Sequence, residues 1–170
     1  IETDLFIKVM SLLNENWFDS ASWDTTTQTA FSKYQEKMYS EKYFDYSLIL
    51  KEMVQQLEEN ATFRKVIVDK VKYLTVDEYQ DTNPIQERLI ALLKKMGANL
   101  CVVGDDDQTI YQFRGSDASN ILTFMQRYNI SNYIVLDTNY RSTKGIVNVA
   151  GNIIKNNANR LPKQMNSGCS

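Results

Sequence analysis

The sequence predicts an α/β protein, part of a parallel sheet with flanking helices, preceded by a helical stretch. Three observations predict it. Residues 1–60 carry apolar residues at helical spacing. Three short apolar runs follow, and each ends in acid: Val71–Val76 before Asp77-Glu78, Leu100–Val103 before Gly104-Asp105, and Tyr133–Leu136 before Asp137. Helical patterns separate these runs, and strand–helix alternation is the signature of a parallel sheet.

The elements can be justified in order. Ile1, Leu5, Phe6, Val9, Leu12 and Leu13 repeat with a helical period. A polar stretch, Asp19 to Thr29, interrupts it. A second helix is expected near Ala30–Ser40. A third starts at Asp45, a good N-cap, and places Ile49, Leu50, Met53, Val54 and Leu57 on one face. The three apolar runs read as buried strands with their polar chemistry at the carboxyl ends. Between the first two, Asn83-Pro84-Ile85-Gln86 is a helix start with a cap, a first-turn proline and a back-reaching Gln86, and the helix ends near Gly97. Another helix should start near Asp117 and bury Ile121, Phe124, Met125 and Tyr128. A last one should run from Thr143 to about Asn157, using Ile146, Val147, Ala150, Ile153 and Ile154. The tail, Arg160 to Ser170, reads as loose.

Bulk properties exclude several classes. With 170 residues and a net charge of −2, the chain as a whole is not a basic nucleic-acid clamp. There are no histidines, which removes the usual zinc sites and any histidine-based triad. No apolar run reaches the roughly 20 residues that span a bilayer, so no membrane partner is expected. Cys101 lies in an apolar run and reads as a small buried hydrophobe; with Cys169 it forms no disulfide framework, which suits a reducing cytoplasm. The chain opens Ile1-Glu2-Thr3-Asp4, without Met and without a basic leader, so an excised internal segment is expected.

Ligands of parallel sheets bind at the carboxyl ends of the strands. In a phosphate-processing enzyme, the first of two carboxylates at such an end holds Mg²⁺, a hard cation that takes oxygen ligands, and the second polarises the attacking water. Asp77 and Glu78 have that placement; an ordinary exposed turn is the plainer reading. Asp106 and Asp107 read as a solvated acidic turn. Tyr111 and Phe113 have the spacing of core aromatics as well as of a stacking surface.

Three strings narrow the choice. They are Asp77-Glu78-Tyr79-Gln80-Asp81, then Val103 to Gly115 (VGDDDQTIYQFRG), then Leu136-Asp137-Thr138-Asn139-Tyr140-Arg141-Ser142. In this order and spacing they resemble motifs II, III and IV of superfamily 1 DNA helicases of the UvrD/Rep/PcrA type. The resemblance covers about residues 60–165. Residues 30–60 match more loosely through Phe44–Leu48, where Ser47 stands in place of the family's usual Asp.

The resemblance implies roles. Asp77 resembles the Mg²⁺ ligand, Glu78 the base that activates water, and Gln80 the residue coupling the nucleotide site to its neighbours. Gln108 resembles the γ-phosphate sensor. Tyr111, Phe113 and Arg114 resemble the residues that touch single-stranded DNA, with Phe113 where the family often has Trp. Tyr140 resembles the residue packing on adenine, and Arg141 the arginine reaching the γ-phosphate from a second motor domain. The implied fold is part of a RecA-like sheet. Residues 1–60 would end a helical insertion, the 1B-like subdomain; 61–136 would be the second half of the first RecA-like motor domain; 137–170 would start the second.

The implied cofactors are ATP and Mg²⁺. The implied partners are single-stranded DNA, duplex junctions and the remainder of the helicase chain, with 3′-to-5′ translocation and unwinding as the activity. None of the six glycines is followed by Lys, so the phosphate-cradling Gly-Lys-Ser/Thr loop is absent from these residues, and the segment alone is expected to be inactive. The rival readings are a catalytically silent helicase-like scaffold or partner-binding module, and a metal-dependent nuclease.

Overall fold

The computed structural model describes residues 3–15, 23–109, 119–157 and 160–169. The first part is helical: α1 (Thr3–Asn14), α2 (Thr25–Ser40), α3 (Tyr46–Glu59) and α4 (Ala61–Lys70). α2 begins ahead of the expected Ala30, because Asp24 caps it and accepts the Thr27 amide at 2.9 Å. Asp45 caps α3 through the Leu48 amide at 2.6 Å, as the sequence predicts. Asn60 closes α3 and caps α4 through the amides of Thr62 and Phe63. α4 has no counterpart in the sequence reading. Its Val66-Ile67-Val68 run has strand propensity, and the Asn60 cap with local hydrogen bonding decides for helix.

α5 (Pro84–Lys95) starts at the expected Asn83, and the reciprocal Asn83–Gln86 capping box is complete. Lys94 and Lys95 in its last turn complement the helix dipole, and Gly97 with φ +104° turns the chain out. α3 packs on both α1 and α5. Leu48, Val54 and Leu57 of α3, Met10 and Leu13 of α1, and Ile85 and Ile90 of α5 supply most of the buried apolar core. Emptying one such position, as in Leu57→Ala, costs about 2–5 kcal/mol.

α5 is also the crossover between β1 (Tyr73–Val76) and β2 (Asn99–Val102), which pair in parallel with Val76 opposite Val102. After β2 come α6 (Ser119–Arg127), β3 (Thr138–Thr143), α7 (Lys144–Ile154) and β4 (Asn166–Cys169). β3 and β4 form a second parallel pair.

Several expectations are corrected here. The described residues are mixed α/β, and the sheets among them are two parallel two-stranded pairs. The strand expected at Tyr133–Leu136 is absent; these residues are exposed, and β3 begins just after them at Thr138, where Asn166 offers a partner backbone. Apolar residues alone do not make a strand without a neighbouring ladder. Part of the tail expected to be loose is β4. Val71 ends α4 instead of opening β1. Cys101 is exposed, because side chains alternate along β2, and the half-buried face is the one that carries Leu100 and Val102. α7 runs to Ile154 with Thr143 as its N-cap; it buries Val147, while Ile146 and Ile153 are exposed. In α6, Ile121, Phe124 and Met125 are half-buried, as is the following Tyr128, and Asn120 is the fully buried position. Asp117 lies outside the described residues.

Candidate functional site

The carboxyl ends of β1 and β2 lie side by side. Their ladder continues past the strands: Val103 N–H donates to Val76 O at 2.8 Å, and Tyr79 N–H donates to Val103 O at 3.0 Å. Between those two bonds the chain turns outward at Asp77 and Glu78, both exposed. Glu78 has φ 49° and ψ 44°, a left-handed conformation that costs a non-glycine residue energy and recurs at functional sites. The Asp77 Oδ1 accepts the Glu78 amide at 2.9 Å.

The next residues anchor the turn. Tyr79 is fully buried in a short 3₁₀ turn, Tyr79–Asp81, with its ring edge-on to Phe124 at 5.1 Å. Its hydroxyl donates to Glu87 at 2.6 Å, and Glu87 also accepts from Arg127 at 2.6 Å and Tyr128 at 2.8 Å. Burial and the Glu87 carboxylate push the Tyr79 hydroxyl pKa up, so it stays a neutral donor. Asn120 of α6 donates to the Thr82 carbonyl at 3.2 Å. The turn is therefore tied to α5 and α6, which leaves Asp77 and Glu78 facing solvent at the rim of a cavity of about 380 Å³. Val76, Asp81, Thr82 and Gln86 also line it.

Gln80 joins the two strand ends. It is 1% exposed. Its Nε2 donates to Glu78 Oε2 at 2.7 Å, and its Oε1 accepts the Asp105 amide at 3.0 Å. The approach needs Gly104: a Cβ there would lie 2.7 Å from Gln80 Oε1 and 2.8 Å from Ile121 Cδ1. Asp105 then caps a second 3₁₀ turn, Asp106–Gln108, where Gln108 Nε2 donates to Asp105 Oδ2 at 2.7 Å. So the structure gathers Asp77, Glu78, Gln80 and Gln108 around one pair of strand ends.

Tyr140 and Arg141 lie on β3, and among the described residues no hydrogen bond or ion pair links their side chains to that cluster. The Tyr140 ring lies against Gly168, whose absent Cβ would sit 2.7 Å from ring carbon Cδ1, and Tyr140 is 78% exposed. Asn139 Oδ1 accepts the amides of Arg141 and Ser142 at 2.9 and 2.8 Å, fixing the backbone while the Arg141 side chain is exposed. Tyr111, Phe113 and Arg114 lie outside the described residues.

The acidic turn is a correction. Asp106 and Asp107 are not solvated: their side chains are 4% and 13% exposed. Lys163 Nζ bonds to Asp105 and Asp106 and lies 3.3 Å from Asp107; Arg160 makes a two-pronged pair with Asp107 at 2.9 and 2.5 Å. Hydrogen bonds from Arg160 hold the Asp107 carboxyl below its ordinary pKa. For Asp105, burial raises the pKa, and the bonds from Lys163 and Gln108 more than offset it. The sequence reading missed Arg160 and Lys163 because they sit far along the chain in a stretch without periodicity.

Among the described residues no three potential metal-binding side chains converge. An exposed oxygen-only pair such as Asp77-Glu78 still suits Mg²⁺, which takes one or two carboxylates and keeps several waters. No described helix is long and apolar enough to cross a membrane.

A family profile described as the UvrD/REP helicase N-terminal domain matches residues 6–129. The chain is 43% identical over 135 residues to the ATP-dependent DNA helicase PcrA of Staphylococcus aureus, an alignment covering 79% of this chain and 18% of that protein. It is 38% identical over 143 residues to the PcrA of Bacillus subtilis, covering 84% and 19%. For the PcrA of Staphylococcus epidermidis the identity is 41% over 143 residues, covering 82% and 20%. The chain thus spans 18–20% of the length of these relatives.

Proposed function

The chain belongs to the UvrD/REP helicase family, and we propose that it supplies the metal-and-water half of the ATP site of a 3′-to-5′ DNA helicase. The observation that carries this is the sorting of carboxylates at the strand ends. Asp105, Asp106 and Asp107 are paired with Arg160 and Lys163, whereas Asp77 and Glu78 are exposed and, among the described residues, have no cationic partner.

In this reading Asp77 would hold Mg²⁺. The metal would supply charge neutralisation on the triphosphate when bound. Glu78 accepts the proton of the attacking water; its left-handed backbone turns the carboxylate outward, and Gln80 Nε2 fixes one of its oxygens. Gln108 reports on the γ-phosphate from the neighbouring strand end. Tyr140 packs on adenine with its exposed ring, and Arg141 offers a transition-state cation. Tyr111 and Phe113 stack on unpaired bases while Arg114 binds backbone phosphate. Residues 1–60 close a helical insertion, 61–136 belong to the first motor domain and 137–170 open the second. ATP, Mg²⁺, single-stranded DNA, duplex junctions and the rest of the helicase chain are the partners.

The test is Glu78→Gln in the full-length helicase carrying this segment. Nucleotide binding should persist while phosphate release falls by about 10² or more, the scale of a general base. Turnover within a factor of about two of wild type would make Glu78 a plain surface residue and the assignment of the water-activating base wrong.

A further inference from the structure

We propose that Lys163 is a positioning residue for the hydrolytic site, acting through Asp105 and supported by Arg160 on Asp107; this rests on the reading of Glu78 and Gln108 given above. A continuous set of contacts leads from the 160–163 segment to both residues. Lys163 Nζ holds Asp105 Oδ1, which also accepts the Asp107 amide at 3.1 Å. The other oxygen of Asp105 accepts Gln108 Nε2 at 2.7 Å. The Asp105 amide donates to Gln80 Oε1 at 3.0 Å, and Gln80 Nε2 donates to Glu78 Oε2 at 2.7 Å. The Leu161 amide adds a bond to Asp106 at 2.7 Å.

Three adjacent carboxylates repel one another, and the two cations hold them in one tight turn. Lys163 is the cation that touches all three, with its side chain only 15% exposed. Without it, repulsion opens the turn at Gly104, where no side chain resists. The Asp105 amide then leaves Gln80, and Gln80 loses its hold on Glu78. Lys163 never reaches the reacting atoms; it sets where Gln108 and Glu78 point. Displacement of the 160–163 segment would be felt at the water-activating carboxylate by the same route.

The experiment compares Lys163→Met, Lys163→Arg and Glu78→Gln in the full-length helicase, measuring kcat and KM for ATP with saturating single-stranded DNA, and Tm for each. Lys163→Met should lower kcat about 10-fold or more with KM within about two-fold, the pattern of a lost alignment. Lys163→Arg should recover most of kcat, because a guanidinium still pairs with carboxylates. Asp105→Asn, which keeps the shape, should give a similar loss, and the double variant should be no slower than the worse single variant. An unchanged kcat, an Arg variant as slow as Met at equal Tm, or additive losses would overturn the positioning role. Should Glu78→Gln itself leave turnover intact, the hydrolytic reading fails instead. Should Glu78→Gln stop turnover while Lys163→Met does not slow it, only the role of Lys163 fails.

Discussion

Gly104→Ala probes the junction on which the site depends. The added methyl would lie 2.7 Å from Gln80 Oε1, 2.8 Å from Ile121 Cδ1 and 3.3 Å from the Tyr79 nitrogen. Gln80 cannot swing aside freely: it is buried and bonded to Glu78 and Asp105. Ile121 belongs to α6, which Asn120 and Arg127 tie to Thr82 and Glu87. Overpacking of this kind costs about 1–3 kcal/mol, and the strained Gln80–Asp105 bond is worth about 0.5–1.5 kcal/mol. One relaxation serves both, so about 2 kcal/mol is expected, or about 4–8 °C in Tm for a chain of this size. Thermal unfolding by circular dichroism of the 170-residue chain measures it. Gly151→Ala is the control: nothing lies within 4 Å of its would-be Cβ inside α7, so it should be neutral or stabilise by about 0.4–1 kcal/mol. If Gly104→Ala melted within about 1 °C of wild type, the close approach of the two strand ends would be wrong.

Three further outcomes are expected. Tyr79→Phe removes a buried hydroxyl from Glu87, which keeps Arg127 and Tyr128, so the loss should be about 0.5–1.5 kcal/mol by urea titration; no loss would deny the anchor. The clamp on Asp105 and Asp107 should fail in acid. Their folded pKa values lie below the ordinary 3.8, so the stability they contribute is present above that value and is lost as pH falls through the folded ones. Arg160→Gln should therefore lower Tm more near pH 7 than near pH 3; an equal gap at both would contradict it. Phe113→Ala in the full-length helicase should weaken single-stranded DNA binding about 5- to 150-fold, since a stacked base is worth about 1–3 kcal/mol, and fluorescence titration reads this. A variant with lowered Tm and normal DNA affinity would make Phe113 a core aromatic.

What could be read from the sequence was local. Asp45 and the Asn83–Gln86 box act within one helical turn, so their caps are where the sequence puts them. β1 and β2 were legible because β-branched runs end at acids on either side of a capped helix. Long-range pairing was not legible. Tyr133–Leu136 has strand composition, yet the ladder forms at Thr138–Thr143, because its partner is a polar Asn-Ser-Gly-Cys segment that no hydrophobic pattern marks. Cys101 sits in an apolar run, and its exposure depends on which face of a two-stranded sheet is covered.

The same distinction governs the acidic residues. In sequence, Asp77-Glu78 and Asp105-Asp106-Asp107 look alike: each is acid after an apolar strand. A carboxylate's role depends on what faces it, and the facing groups come from elsewhere in the chain. Arg160 and Lys163 half-bury the aspartates of the second strand end, and such paired charges are committed to holding a turn. The first strand end receives neutral partners, a backbone amide on Asp77 and the Gln80 amide on Glu78, which orient the carboxylates without cancelling their charge. An oriented, uncancelled carboxylate at the rim of a cavity is what binding a hard cation and accepting a proton both require. The Gln80 side chain lies between the two strand ends, with its amide nitrogen on the uncommitted acid and its oxygen on the committed turn.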